Sequence, residues 1–185
     1  MKATKRLHFG QLDVGLDEQL CPLWSDADVI RYTNFALIEG REACERLIQH
    51  LVEAHHVDGL ALGPYAIVRG GRAIGLVGCQ PRNLRVGECE LWYLLEKASW
   101  GQGLATEAAR AALDHAFGYD RVRLISAQAV PENVASWRIL EKLGMRREGR
   151  LRQRFVRDGV SYDLFSYSIL RQEWESGQRA ARPVA

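Results

Sequence analysis

Residues 100–107 read Trp-Gly-Gln-Gly-Leu-Ala-Thr-Glu, a glycine-bearing loop between the strand-like run Glu88 to Leu95 and an Ala- and Leu-rich helical stretch, Leu104 to Phe117, stopped by Gly118. Glycine lets backbone N–H groups turn toward a ligand, and a helix start adds donors that lack intrahelical partners and carry a partial positive charge. Such a place suits a phosphate. A Walker A loop needs Gly-Lys followed by Ser or Thr, which is missing here. A dinucleotide fingerprint wants Gly or Ala where Thr106 stands, and an acidic residue about 20 positions on, where Ser126, Ala127 and Gln128 stand. Nucleotide readings fall away. On this loop alone, a plain glycine turn between strand and helix stays open beside a phosphate site.

Outward from the loop, periodicity places the other elements. Lys5 to Phe9 reads as a strand, Asp13 to Trp24 as a helix, and Asp26 to Gly40 as an irregular aromatic stretch. Arg41 to Val57 repeats at helical spacing, with Cys44, Leu47, Ile48, Leu51, Val52 and His55 on one face. Tyr65 to Arg69 and Arg72 to Cys79 flank Gly70-Gly71 as a β-hairpin, and Pro81 to Gly87 reads as a polar loop. After the loop and its helix come a strand, Arg121 to Val130, and a second helix, Ala135 to Leu143, closed by Gly144. Two strands, Met145 to Val156 and Tyr162 to Leu170, joined at Asp158-Gly159, finish the pattern βααβββαβαββ, which is that of an α/β domain with a mixed sheet. Residues 1–175 form the expected domain, and 176–185 a polar tail expected to be mobile.

The 185 residues carry 25 Lys plus Arg against 23 Asp plus Glu, a formal net charge of +2, with 47% hydrophobic and 26% charged residues. That composition buries a core and excludes disordered, collagen-like and low-complexity chains. No apolar run reaches the ~18–20 residues that a membrane span requires, and the first residues lack the apolar stretch of a secretory signal. A soluble cytoplasmic protein without membrane contact is expected. Cys21, Cys44, Cys79 and Cys89 are scattered without a CxxC or Cys/His cluster, so free packing thiols and no metal are expected. His50, His55 and His56 read as solvated residues of one helix.

The phrase WGQGLATEA at 100–108 resembles the CoA-binding loop of the GNAT acyl-CoA N-acyltransferases, which carry Gln/Arg-x-x-Gly-x-Gly/Ala between a strand and a helix. Gly103 and Ala105 match that pattern. Trp100 replaces the usual Gln or Arg, and Trp-Gly-x-Gly followed by Ala-Thr-Glu-Ala is the form common in the Rim-type branch of ribosomal-protein N-terminal acetyltransferases. KRLHF at 5–9, VIRYTNF at 29–35, CELWYLL at 89–95, ENVASWRILEKLGM at 132–145 and DGVSYDLFSYSILRQEW at 158–174 extend the resemblance over residues 4–174. It implies one GNAT-like domain, a central mixed, mostly antiparallel sheet of about seven strands flanked by about four helices. It also implies acetyl-CoA as co-substrate, contacted by Leu94, Leu95, Trp100, Gly101, Gln102, Gly103, Leu104, Ala105, Thr106 and Asn133.

Acetyl transfer from a thioester to an amine needs a deprotonated amine, a held carbonyl and a proton for the leaving thiolate. Glu88, Glu90 and Trp92 share one face of a regular strand. Glu90 matches the carboxylate that several GNAT members use as general base, often through water, and is favoured over Glu88, although a β-bulge could reverse the choice by changing which residues face the cleft. Asn133 reads as the N-cap of the next helix, and the resemblance adds a bond to the pantetheine arm. Ser136 matches an Asn-x-x-Ser pattern in which the hydroxyl supports the thiolate. Leu140 stands where many GNAT enzymes place a Tyr, and a purely local hydrogen bond is the rival reading of Ser136. Tyr32, Asn34 and Phe35, with Glu88 and Trp92, are expected to shape the acceptor pocket for a protein N-terminus or a small amine such as a polyamine or antibiotic. Arg146, Arg147, Arg150, Arg152, Arg154 and Arg157 read as a solvated strand face or as an attractor of acidic partners. Nucleic acid is disfavoured as a partner, a homodimer is left open, and a non-catalytic acyl-CoA-binding module is the rival function.

Overall fold

The computed structural model describes residues 1–53, 56–57 and 59–180; His55 and residues 181–185 of the expected tail lie outside the described residues. The chain runs β1 (His8–Gln11), α1 (Asp17–Ser25), α2 (Ala27–Ile30), α3 (Arg41–Glu53), β2 (His56–Val57), β3 (Leu60–Ala61), β4 (Tyr65–Arg69), β5 (Arg72–Asn83) and β6 (Glu88–Leu95). It continues through α4 (Leu104–Ala116), β7 (Leu124–Ala129), α5 (Val134–Lys142), β8 (Arg146–Arg157), β9 (Val160–Leu170) and α6 (Arg171–Ala180). Seven strands form one sheet in the order β1-β4-β5-β6-β7-β9-β8, while β2 and β3 form a separate ribbon. The β6–β7 pair is parallel, and β1–β4, β4–β5, β7–β9 and β8–β9 are antiparallel. This is the mixed α/β sheet the sequence implies.

Among the described residues six α-helices stand where about four were expected. One addition is α2, a single turn inside the aromatic stretch, capped by Asp26, whose Oδ1 accepts from the Asp28 amide at 2.9 Å. The other is α6, which takes the first residues of the expected tail, through Ala180, into a helix. The helix expected through Val57 ends at Glu53, and His56 instead pairs with Ala61 in β2–β3, so His50 and His56 do not share a helix. The strand β5 continues through Pro81 to Asn83, where a loop was expected, and the turn occupies 84–87.

The chain packs as two compact units, residues 1–80 with 91–116, and residues 81–90 with 117–185. In the first unit, the apolar stripe of α3 meets α1 and the sheet: Leu20, Leu23, Trp24, Cys44 and Ile48 pack with Ala66, Ala73, Leu76 and Leu94. The α1–α3 packing brings the Cα atoms of Cys21 and Cys44 to 5.7 Å, and the two form a disulfide. Free thiols were expected at all four cysteines; 23 residues of sequence separate this pair, and only tertiary packing joins it. Cys79 and Cys89 are outside the disulfide and buried. Gly75 marks a close backbone approach: a Cβ there would lie 2.2 Å from the Leu94 carbonyl oxygen, well inside van der Waals contact.

In the second unit, Tyr167 is fully buried on β9, and Trp174 of α6 packs against Phe117 with ring centroids 6.3 Å apart. Arg171, at the start of α6, donates to the carbonyls of Phe117 (2.5 Å), Tyr119 (2.5 Å) and Val122 (2.6 Å). One guanidinium thus ties together three backbone carbonyls of the segment between α4 and β7, the Tyr119 carbonyl also accepting from the Val122 amide at 2.9 Å.

Candidate active site

In the first unit, the loop before α4 has Gly101 at φ 72° and Gly103 at φ 74°, the left-handed region that glycine enters at no steric cost. Side chains pin the loop from its own unit. The Trp100 indole N–H donates to the Leu95 carbonyl at 2.9 Å, and Gln102 Nε2 donates to the Ala98 carbonyl at 2.9 Å. Gln102 Oε1 accepts from Arg69 Nη1 at 2.7 Å, and the Gln102 carbonyl accepts from Arg6 Nη1 at 2.9 Å. Arg6 also pairs with Glu107, whose Oε1 accepts from the Thr4 hydroxyl at 2.5 Å and from the Arg6 amide at 3.1 Å. Burial pushes the Glu107 carboxyl up, but the hydrogen bonds from Thr4 and Arg6 outweigh it and hold it below the usual carboxylate range. Sequence reading missed Thr4, Arg6 and Arg69 entirely, because each meets the loop across a long stretch of chain.

The pinning leaves a row of donors. The amide N–H groups of Gln102, Gly103, Leu104, Ala105 and Thr106 have no acceptor among the described residues, and the first bond of α4 runs from the Glu107 amide to the Gly103 carbonyl at 3.1 Å. A Cβ on Gly101 would meet nothing within 4 Å, and one on Gly103 only Arg6 at 3.7 Å. These glycines are therefore required by conformation rather than by crowding inside the protein. Open amides at a helix start, beside the Arg6 and Arg69 guanidinium groups, can hold an anion without a Lys or Arg at the loop itself.

On β6, burial alternates: Cys89 and Leu91 are buried, while Glu88, Glu90 and Trp92 are partly exposed. The regular alternation through Trp92 puts the two carboxylates and the indole on one face, as expected. Leu94 and Leu95 are core residues, each 5% exposed. Phe35 stands edge-on to Trp24 (5.9 Å) and Trp92 (6.4 Å), which binds the stretch before α3 to β6. Tyr32 is partly buried in the same stretch and Asn34 is exposed.

In the second unit, β6 pairs with β7 at Glu88–Leu124, Cys89–Ile125 and Glu90–Ser126. The two acids have different partners. Glu88 Oε1 accepts from the Ser126 hydroxyl at 2.8 Å, whereas Glu90 lies 3.6 Å from an Arg82 guanidinium nitrogen, with its side chain 15% exposed. Asn133 caps α5, its Oδ1 accepting from the Ser136 amide at 3.2 Å, so the cap reading holds in the structure. Ser136 is partly buried on the first turn, and Leu140, one turn on, is buried in the core at 1% exposure. The Cys89 thiol is pushed up to about 11, by burial first and by the neighbouring Glu88 second, so it carries almost no thiolate near neutral pH. No group of His, Cys, Asp and Glu able to hold a metal is present among the described residues.

Residues 6–146 match the family model described as an acetyltransferase (GNAT) domain. The chain belongs to the GNAT acetyltransferase family. It is an acyltransferase, and it is 28% identical over 172 residues to an uncharacterized N-acetyltransferase, p20, of Bacillus licheniformis, covering 92% of this chain and 96% of that one. A GNAT acetyltransferase structure from Bacillus anthracis superimposes with a TM-score of 0.80 at 24% identity, over 92% of this chain and 98% of that one. RimL, a ribosomal L7/L12 α-N-protein acetyltransferase solved with coenzyme A, gives 0.83 at 17% identity, over 91% and 96% of the two chains. A Vibrio cholerae spermidine N-acetyltransferase solved with CoA and spermine gives 0.78 at 21%, over 93% and 99%. These likenesses establish the GNAT fold. Within it, the glycine loop, its pinning arginines and the β6 aromatic face belong to the first unit, and Glu88, Glu90, Asn133 and Ser136 to the second. No helix among the described residues is long and apolar enough to cross a membrane.

Proposed function

We propose that this GNAT acetyltransferase binds acetyl-CoA on the amides of Gln102 to Thr106 and passes the acetyl group directly to a primary amine. The observation that carries the reading is that row of open amides at the start of α4, held in shape by two left-handed glycines and by side chains of its own unit. The fold neighbours solved with coenzyme A support the same co-substrate.

In the proposed reaction, Glu90 accepts the proton of the incoming ammonium, directly or through one water, and the neutral amine attacks the thioester carbonyl. Collapse of the tetrahedral intermediate breaks the C–S bond; the extra N–H proton of the attacking nitrogen passes to the departing sulfur, directly or through water, and the Ser136 hydroxyl donates a hydrogen bond to that sulfur as charge develops, so CoA leaves as the thiol. Asn133 holds the start of α5 and donates its side-chain amide to the pantetheine arm. A covalent acetyl-cysteine is not part of this scheme, because the Cys89 thiol is buried and protonated and Cys79 is buried. Tyr32, Asn34, Phe35 and Trp92 contact the acceptor. The proposed acceptor is a protein N-terminus, as for RimL, or a small polyamine or antibiotic amine, and the proposed setting is the cytoplasm.

A steady-state assay of CoA release, run against N-terminal peptides, polyamines and aminoglycosides, tests this. Turnover with one amine class supports the transfer; tight acetyl-CoA binding without turnover on any amine makes the chain a binding module instead.

A further inference from the structure

The acetyl-transfer scheme leaves the arginines of β8 unused. This strand lies at the end of the sheet order, paired on one side with β9. Between Leu151, opposite Leu164, and Phe155, opposite Tyr162, β8 carries Arg152, Gln153 and Arg154 against the single Asp163 of β9. The bulge is anchored from that partner: Asp163 Oδ1 accepts from the Gln153 amide at 2.9 Å, and Oδ2 accepts from Arg150 Nε at 2.6 Å. The outcome is an open concavity of about 590 Å³ lined by Arg150, Leu151, Arg152, Gln153 and Arg154.

The cations along the strand are not equivalent. Arg146 pairs with Glu173, Arg150 with Asp163 and Arg157 with Asp158, while Arg147 lies over the Phe165 ring at 4.6 Å. Arg152 and Arg154, which rim the concavity, make no ion pair or hydrogen bond among the described residues, and both are exposed. Two guanidinium groups without an ion pair or hydrogen bond among the described residues, only Arg152 feeling the nearby Asp163 carboxylate, rim a shaped hollow on an edge strand and leave positive charge there in excess.

We propose that the β8 bulge docks an acidic, extended peptide segment of a protein partner. The planar guanidinium fork matches a carboxylate with two parallel hydrogen bonds, and an extended peptide repeats its side chains on one face at every second residue. Such a peptide can also pair with the open edge of β8. A nucleic acid fits less well. Its phosphates follow one another without a gap, whereas Glu148 on the strand and Asp158 at its turn interrupt the cations with like charge for a phosphate. The surface does not depend on the acetyl-transfer reading.

The test is fluorescence anisotropy on the full chain with three labelled probes: an octamer alternating Glu and Ser, an octamer alternating Lys and Ser, and a single-stranded RNA of ten nucleotides. The Glu peptide is expected to bind saturably, with affinity falling as salt rises, and Arg152→Glu with Arg154→Glu is expected to weaken it at least tenfold. Replacing both by Lys, which keeps charge and loses the fork, is expected to give an intermediate loss. Circular dichroism of each variant establishes that the fold is kept. Absence of saturable binding, equal binding by the doubly reversed variant, or tighter binding of the RNA than of the Glu peptide overturns the proposal.

Discussion

Replacing Gly103 by Ala separates ligand binding from stability at the glycine loop. The residue sits at φ 74°, and its new Cβ would meet only an Arg6 nitrogen at 3.7 Å, so crowding inside the protein is negligible. The intrinsic cost is the left-handed backbone, about 1–2 kcal/mol for an L-residue. That is a minor part of the ~5–15 kcal/mol that holds a domain folded, and it lowers Tm by roughly 2–8 °C in a chain of this size. For acetyl-CoA the change is larger. A phosphate held on the neighbouring amides, which have no acceptor among the described residues, is expected to be crowded by the new methyl, and each charge-assisted bond it displaces is worth about 1.5–3 kcal/mol, or roughly 10- to 100-fold in affinity. Gly70→Ala, in the β4–β5 turn at φ 57° with nothing within 4 Å of its Cβ, is the matched control, with the same kind of strain away from the loop. Calorimetric titration with acetyl-CoA and a thermal melt on both variants decide the matter. The reasoning is refuted if Gly103→Ala melts lower yet binds acetyl-CoA within twofold of the parent.

Glu90→Gln is expected to lower turnover about 10²- to 10⁴-fold with acetyl-CoA affinity kept, and raising the pH is expected to restore part of the rate by supplying neutral amine. Near-normal turnover at neutral pH in this variant moves the base to Glu88 or removes it. Ser136→Ala is expected to reduce turnover roughly 10- to 100-fold, with little change in acetyl-CoA affinity; a drop of melting temperature with turnover intact makes the hydroxyl structural. Because the Cys89 thiol is buried and pushed up to about 11, iodoacetamide at pH 8 is expected to leave Cys89 of the native protein unmodified. In denaturant, two cysteines are expected to be alkylated before reduction and four after it, since Cys21 and Cys44 form the disulfide; four before reduction contradicts the pairing.

What the sequence made legible was local. The glycine loop, the α3 stripe from Cys44 to Val52 and the turn at Asp158-Gly159 each declare themselves within a few residues, through φ requirements and apolar period. The shared face of Glu88, Glu90 and Trp92 was legible because β6 alternates regularly over that span. What stayed hidden depends on distant partners. Arg6 and Glu107 lie 101 positions apart and meet only when the sheet brings β1 beside the start of α4. Cys21 and Cys44 pair only through helix packing, and Glu88 finds Ser126 only through the parallel β6–β7 register. The helix α6 escaped notice because its outward residues are polar and contain Gly177, a poor helix former; what fixes its start is Arg171 on three carbonyls of another segment. The bulge of β8 has no glycine to announce it, since Gln153 itself adopts φ 50°.

The most direct test of the central claim is a single-turnover experiment. Enzyme in excess over acetyl-CoA is mixed with the amine that supports steady-state turnover and quenched in time, with product, CoA and intact protein weighed by mass spectrometry. Direct transfer predicts acetylated amine and free CoA appearing together in equal amounts, with unmodified protein at every time and no CoA release when the amine is left out. Release of CoA before any amine is added, with an acetyl group found on the protein, contradicts it.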